Sequence, residues 1–287
     1  MEAPPVTVVR HSSPLGTWET ARRDSHPVLR PFISGYEGYW EEMSFSRRME
    51  VPSTDMPLII GFGAPLTTIY ADDAPGASKV TRSFMAGVHD RYVLCESNGV
   101  SAGIQVNFKP FGASYLLGMP VGELANHCVD MADCLGNEGV RLAQQLEDLP
   151  DWASRFAALE TFILRRFANA KGMPQATAWV LRRLEESAGS IPIRALAEDV
   201  GWSQKHLIDQ FRAEVGLTPK AVARVIRFDR AVQRLKSPGP HRLSDVANDC
   251  GYYDQAHFSR DFRAFTGGTA REFLQRVLPD DAGLIGD

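Results

Sequence analysis

The stretch CGYYDQAHFSRDF, residues 250–262, has a fainter copy upstream in VGWSQKHLIDQF, residues 200–211. His257, Phe262, Arg263, Gly267 and Thr269 each lie 51 residues after His206, Phe211, Arg212, Gly216 and Thr218. Upstream the offset falls to 50, from Ala197 to Ala247 and from Gly201 to Gly251. One residue is therefore inserted beside Tyr253. Two units are too few for a solenoid, which needs roughly three. The duplication instead predicts one small helical domain that holds the same motif twice.

Local signals agree with this. IRALAEDV is a short helix with Ile193, Leu196, Ala197 and Val200 on one face, and Gly201 stands where a left-handed residue ends it. Ser203 N-caps a second helix with Leu207, Phe211 and Val215 inward. Gly216 ends that helix, and Thr218–Pro219 opens a longer one that runs to about Lys236, where SPGP stops it. The second copy repeats the plan. Leu243 to Cys250 is a short helix, Asp254 caps the next, Phe258, Phe262 and Phe265 point inward, and TARE (269–272) is a capping box. Trp202, Phe211, Phe258 and Phe262 read as core.

A short helix, a glycine turn and a second helix make a helix-turn-helix. Its second helix presents an outer face to the DNA major groove. The helix between the copies, about 19 residues, is roughly 28 Å long. Successive major grooves on one face of a duplex are about 34 Å apart. A connector of that size can seat both motifs on one side of DNA without a two-fold dimer. Charge is compatible: residues 200–276 carry 13 Lys and Arg against 8 Asp and Glu, although the whole chain is at −4. Arg224, Arg227, Arg230 and Arg234 lie mostly off the connector's apolar stripe, on a solvated or phosphate-facing side.

Residues 1 to about 125 read as β-rich. FISGYEGYWEE, MPLIIGFG, YVLCES and GVSAGIQVNFKPFG are β-branched and aromatic runs broken by Gly and Pro. Many short strands predict a small barrel or sandwich. Amphipathic helices follow in NEGVRLAQQLED and WASRFAALETFILRRFANA. The predicted fold class is α+β: a β-rich sensor and dimerisation domain over 1–168 with C-terminal helices from about 137, a linker at 169–175, an all-α DNA-binding domain over 176–278, and a flexible tail at 279–287.

LAEDVGWSQKHLIDQFRAEVGLTPKAVARVIRFDRA and LSDVANDCGYYDQAHFSRDFRAFTGGTAREF together resemble the AraC/XylS family of bacterial transcription regulators. The likeness spans about 100 residues, Ala176 to Val277, and includes both motifs, the GLTP turn and the RFDRA connector. One departure is GGTA, where the family has proline after Thr269. VPSTDMPLIIGFG and VNFKPFGASYLLGMPVGELANHCVDMADCLG resemble, less closely, the cupin-like sensor barrels that precede such units.

The resemblance implies base contacts from Gln204, Lys205, Ile208 and Asp209 in the first reading helix, and from Gln255, Ala256, Ser259 and Arg260 in the second. Chemistry assigns roles: Arg260 or Lys205 fits guanine O6 and N7, Gln255 or Gln204 fits adenine, and Asp209 can only accept, as from cytosine N4. Ser203, His206, Thr218, Ser244, His257 and Thr269 are candidates for the DNA backbone. Tyr36, Tyr39, Trp40, Phe62 and Phe108 are candidates for an apolar effector pocket. Trp152, Phe156, Leu159, Phe162 and Ile163 form a stripe that either makes a dimer, as the resemblance implies, or covers the barrel.

No apolar run reaches the ~18 residues of a membrane span, and no signal peptide is read at the N-terminus. Cys95, Cys128, Cys134 and Cys250 read as reduced thiols of a cytoplasmic protein. His127, Cys128 and Cys134 lack a usual zinc spacing, and His26, His89 and His127 are scattered without an H-x-H pair. No metal, cofactor or catalytic group is expected. The expected partners are double-stranded DNA, a small-molecule effector, RNA polymerase and a second copy of the chain, in a regulator that activates, as the resemblance implies. The alternatives are a metal-dependent cupin-type enzyme fused to a DNA-binding unit and a regulator without an effector.

Overall fold

The computed structural model describes residues 4–13, 16–71, 77–170, 172–239 and 241–277. Two long strands organise the N-terminal part. β3 (Ile33–Glu50) and β8 (Val93–Phe108) pair antiparallel along their whole length, from Ile33 opposite Phe108 to Glu50 opposite Val93. Register breaks between Ile33 and Gly35 and between Met43 and Ser46 bend the pair. β1 (Thr7–Ser13) and β2 (Gly16–Arg22) extend the sheet beyond β3.

On its other side β8 divides its partners. Its second half takes β4 (Met56–Gly61), and its first residues take β5 (Leu66–Tyr70), which also pairs with β6 (Lys79–Thr81). β7 (Phe84–Ala86) and β9 (Cys128–Asp130) complete the order β1-β2-β3-β8-β4-β7-β9. Among the described residues the barrel expected from the sequence is a curled open sheet, with β1 and β9 each pairing with one neighbour.

Side chains alternate between the two faces of the sheet. Leu58, Ile60, Ile104, Val106 and Phe108 are all 0% exposed on the face that helices cover. Those helices are α1 (Pro110–Leu117), α2 (Met131–Asp148, kinked at Gly136) and α3 (Trp152–Ala168). α1 was not expected: Pro110 at its first position starts a helix where the sequence reads as strand.

The α3 stripe settles inward. Phe156, Leu159 and Ile163 are fully buried, and Phe162 nearly so. Trp152 lies over Gly38, where any Cβ would collide with its ring, and its Nε1–H donates to Glu19 at 2.7 Å. Glu160 clamps the helix to the sheet. It pairs with Arg23 at 2.7 Å and accepts from the Tyr36 hydroxyl at 2.7 Å and the His26 N–H at 2.8 Å. These five apolar side chains therefore cover the sheet of their own chain and are not available to a dimer partner.

The C-terminal part is helical: α4 (Gln175–Glu186), α5 (Ile193–Asp199), α6 (Gln204–Val215), α7 (Pro219–Lys236), α8 (Leu243–Asp249), α9 (Gln255–Thr266) and α10 (Ala270–Arg276). Ser203, Thr218, Asp254 and Thr269 cap α6, α7, α9 and α10 through their side-chain oxygens, and the Thr269/Glu272 capping box is complete. The expected linker is packed rather than free, with Met173 buried and Gly172 pressed on the Tyr115 ring. The expected tail at 279–287 lies outside the described residues.

The two parts share their cores. One cluster runs from Ile60 and Phe108 through Phe156 and Ile163 to Leu184, Phe211 and Val222. A second, around Phe228, Phe258, Phe262 and Phe273, takes in Met49, with Tyr92 and Leu94 packed on it. Each helix-turn-helix is therefore seated on the sheet part.

Candidate nucleic-acid interface

The two turns are built alike. α5 reaches α6 through Gly201 (φ +70°), and α8 reaches α9 through Gly251 (φ +77°), a left-handed conformation that glycine adopts without strain. Behind each turn an aromatic meets a histidine edge-on: Trp202 with His206 at 4.7 Å, and Tyr252 with His257 at 5.3 Å between ring centres. The cap oxygens accept from the same histidines' backbone N–H, Ser203 at 3.2 Å and Asp254 at 2.6 Å. Leu207, Phe211, Phe258 and Phe262 are buried beneath.

The outer faces are open. Gln204, Lys205 and Asp209 on α6 are exposed and Ile208 is half-buried. On α9, Gln255, Ala256, Ser259 and Arg260 are all exposed. The structure thus brings the eight sequence-predicted base readers together as two solvent-facing patches.

The backbone candidates divide. Ser203, His206 and Ser244 are exposed. His257 is half-buried, with Nε2 3.8 Å from the Asp261 carboxylate. Thr218 is half-buried as a cap. The Thr269 hydroxyl is engaged twice by Glu272, donating to its carboxylate at 2.9 Å and accepting its N–H at 3.3 Å. On the connector, Arg224 pairs with Asp261 at 2.8 Å, and Arg227 donates to the Gly189 carbonyl at 2.6 Å. Only Arg230 and Arg234 of the four connector arginines are exposed.

Sequence reasoning missed Asp261. It sits on the reading helix but faces inward, 6% exposed, and ties α9 to α7. Its hydrogen bond holds the Arg224 guanidinium above its ordinary pKa. Both reading helices are also held at their C-terminal ends. The Val121 N–H donates to the Glu214 carbonyl at 3.2 Å, and a Cβ on Gly122 would run into the Ala213 carbonyl oxygen. Gly267, which ends α9, faces the Tyr92 ring. The N-terminal ends of α6 and α9 are left pointing away from these anchors.

The free face of the curled sheet encloses a cavity of about 760 Å³. Tyr39 and Trp40 of the expected pocket residues line it, together with Glu41, Arg48, Glu50 and Lys236. Tyr36, Phe62 and Phe108 do not: Tyr36 is in the Glu160 clamp, Phe108 is core on the opposite face, and Phe62 lies under the Arg155 guanidinium at 5.3 Å. Burial pushes the Cys95 thiol above its ordinary value, and lowers His89. Lys236 is the last residue of α7, so the connector helix contributes to the wall. Among the described residues no group of three His, Cys, Asp or Glu could hold a metal ion, and no helix is long and apolar enough to cross a membrane.

Residues 196–276 match the family model of a helix-turn-helix domain, and residues 22–130 that of a domain of unknown function (DUF6597). The chain is 33% identical over 75 residues to the HTH-type transcriptional activator RhaR of Yersinia pseudotuberculosis, covering 26% of either chain. It is 33% identical over 73 residues to the uncharacterized HTH-type transcriptional regulator YbfI of Bacillus subtilis, covering 25% of this chain and 26% of YbfI. The match thus spans about a quarter of the length of these curated relatives. Solved structures with similarity include ToxT from Vibrio cholerae (TM-score 0.46, 12% identity, 96% of this chain and 98% of that one). The regulator CdpR from Pseudomonas aeruginosa is another (TM-score 0.32, 16% identity, 94% and 71%). With two matched helix-turn-helices on one connector and the family match over residues 196–276, the C-terminal unit is an AraC-type helix-turn-helix domain.

Proposed function

We propose that the chain is a sequence-specific DNA-binding transcription regulator, not an enzyme, whose cavity holds a small-molecule effector. The observation that carries this is the pair of exposed outer faces on α6 and α9, held on one body by α7. α7 has 18 residues, about 27 Å at 1.5 Å per residue, against about 34 Å between successive major grooves. A single chain can therefore address two grooves, and the α3 stripe is not the place to seek a second copy. RhaR is called an activator; activation through contact with RNA polymerase, in the cytoplasm, is the corresponding reading for this chain.

The cavity supports the effector reading over one without an effector. Its wall includes Lys236 at the end of the helix that spaces the two readers, near the Glu50 carboxyl. A ligand that binds between them acts directly on the position of α7, and a ligand shifts an equilibrium only through such differential contacts. Footprinting the purified chain on DNA upstream of its own gene tests the function. Protection of two blocks one helical turn apart, lost in the double variant Gln255→Ala, Arg260→Ala, is the expected result. Binding that keeps its sequence preference in that variant would sink the assignment of α9.

A further inference from the structure

The inserted residue of the second copy is identified by its neighbours. Trp202 and Tyr252 take equivalent places against His206 and His257, and Ser203 and Asp254 are equivalent caps. In the first copy the aromatic and the cap are adjacent. In the second, Tyr253 stands between them.

Among the described residues nothing accounts for Tyr253. It is 90% exposed, against 62% for Val80, the next among the exposed large hydrophobics. Among the described residues no hydrogen bond or ring contact holds it. An aromatic left in water gains none of the burial energy that retains such side chains in a fold.

Its position does have a use. It directly precedes the cap of α9, beside the exposed Gln255 and Ala256. When the N-terminal end of a reading helix enters a major groove, the residue ahead of its cap stands at the lip, where the sugar–phosphate backbone runs. Tyrosine is among the side chains that bind phosphate oxygens there. The two readers differ in a matching way: Lys205 gives the first a cation in its opening turn, and the equivalent position in the second is Ala256. The second reader has the neutral donor at Tyr253 instead.

Resting on the DNA-binding function above, we propose that Tyr253 is a DNA-positioning residue of the second reader. Its phenolic O–H donates to a phosphate oxygen at the groove edge, and its ring packs on the adjoining deoxyribose, setting the depth and tilt of α9. The test uses the full chain and a duplex enriched by the wild-type protein from a random pool, with binding read by fluorescence anisotropy.

Tyr253→Phe should weaken binding about tenfold, the worth of a hydrogen bond to a charged acceptor, and Tyr253→Ala should weaken it further. Both losses should be uniform across single-base variants of the duplex. The salt dependence should be unchanged, because a phenol displaces no counterion. Both tyrosine variants should melt with the wild type. Binding by Tyr253→Ala within twofold of wild type, a loss confined to one base pair, or a lowered melting temperature would each overturn the proposal. Failure of the wild-type chain to enrich any duplex would instead count against the DNA-binding function itself.

Discussion

The ion pair between the connector and the second reading helix predicts an asymmetry. Arg224 Nη2 lies 2.8 Å from Asp261 Oδ1, and its Nε lies 3.2 and 3.3 Å from the two carboxylate oxygens. The side chains are unequally buried, 9% accessible for Asp261 and 34% for Arg224. Exposed pairs contribute about 0–1 kcal/mol, and breaking a buried one costs about 3–5 kcal/mol. Arg224→Met strands the carboxylate where little water reaches it, with the His257 ring 3.8 Å away. The cost should be near the lower edge of the buried range, about 3 kcal/mol.

Asp261→Asn strands the guanidinium instead, but a third of that side chain already faces water and it still lies over the Phe265 ring at 5.0 Å. The asparagine oxygen can still accept. That variant should lose about 1 kcal/mol. Equilibrium urea unfolding of both variants, followed by circular dichroism, measures the difference. Equal losses, or a larger loss for Asp261→Asn, would refute the reasoning, because the order follows from burial alone.

Three further outcomes are expected. Arg260→Ala and Gln255→Ala should each cost about 1–3 kcal/mol of specific binding and relax preference at one position, measured by competition among single-base variants. Gly122→Val should force the 121–126 segment off the Ala213 carbonyl and lower stability by about 1–3 kcal/mol, the usual range for overpacking; an unchanged unfolding midpoint would show that the contact yields freely. Asp55 accepts from the Ser34 hydroxyl, and burial raises its carboxyl from 3.8 to about 6. The folded state therefore keeps a proton that the unfolded chain has lost, and the cost grows as pH rises from about 4 to about 6. Asp55→Asn should melt higher than wild type at about pH 7.5 and level with it at about pH 4; a gap that persists in acid would assign the effect elsewhere.

The readers were legible in the sequence because their signals are local. A cap, a turn glycine and three inward apolar residues each act within a turn or two of helix, and they recur at a fixed offset. Ser203, Thr218, Asp254 and Thr269 cap the helices that the sequence predicts for them. α1 was missed because Pro110 follows a strand without a polar cap, and Lys109 makes no capping bond. Asn98–Gly99 reads as an end to a strand, yet β8 runs through it, because the pair with β3 absorbs the irregularity as a bulge opposite Met43 to Ser46.

What remained hidden is what covers each face. The α3 stripe has the same period whether it meets a partner helix or its own sheet, so Phe156 and Ile163 carried no sign of which. Tyr36 and Tyr39 lie three apart on one strand and must point to opposite faces, so they could not share a pocket; the structure puts Tyr36 in the Glu160 clamp and Tyr39 on the cavity. Glu37, Tyr39 and Glu41 alternate like the wet side of an ordinary antiparallel sheet. Only the curl of β3 and β8 turns that side into a cavity, and the curl depends on pairings 43 to 75 residues apart in sequence. Longer separations still divide readers from anchors: Gly122 against Ala213, and Tyr92 against Gly267. Contacts of this kind have no period and no spacing rule, yet they fix how α6 and α9 stand relative to each other. The pattern that identifies the readers is therefore local, whereas the geometry that lets both meet one duplex is set by the sheet on which they are seated.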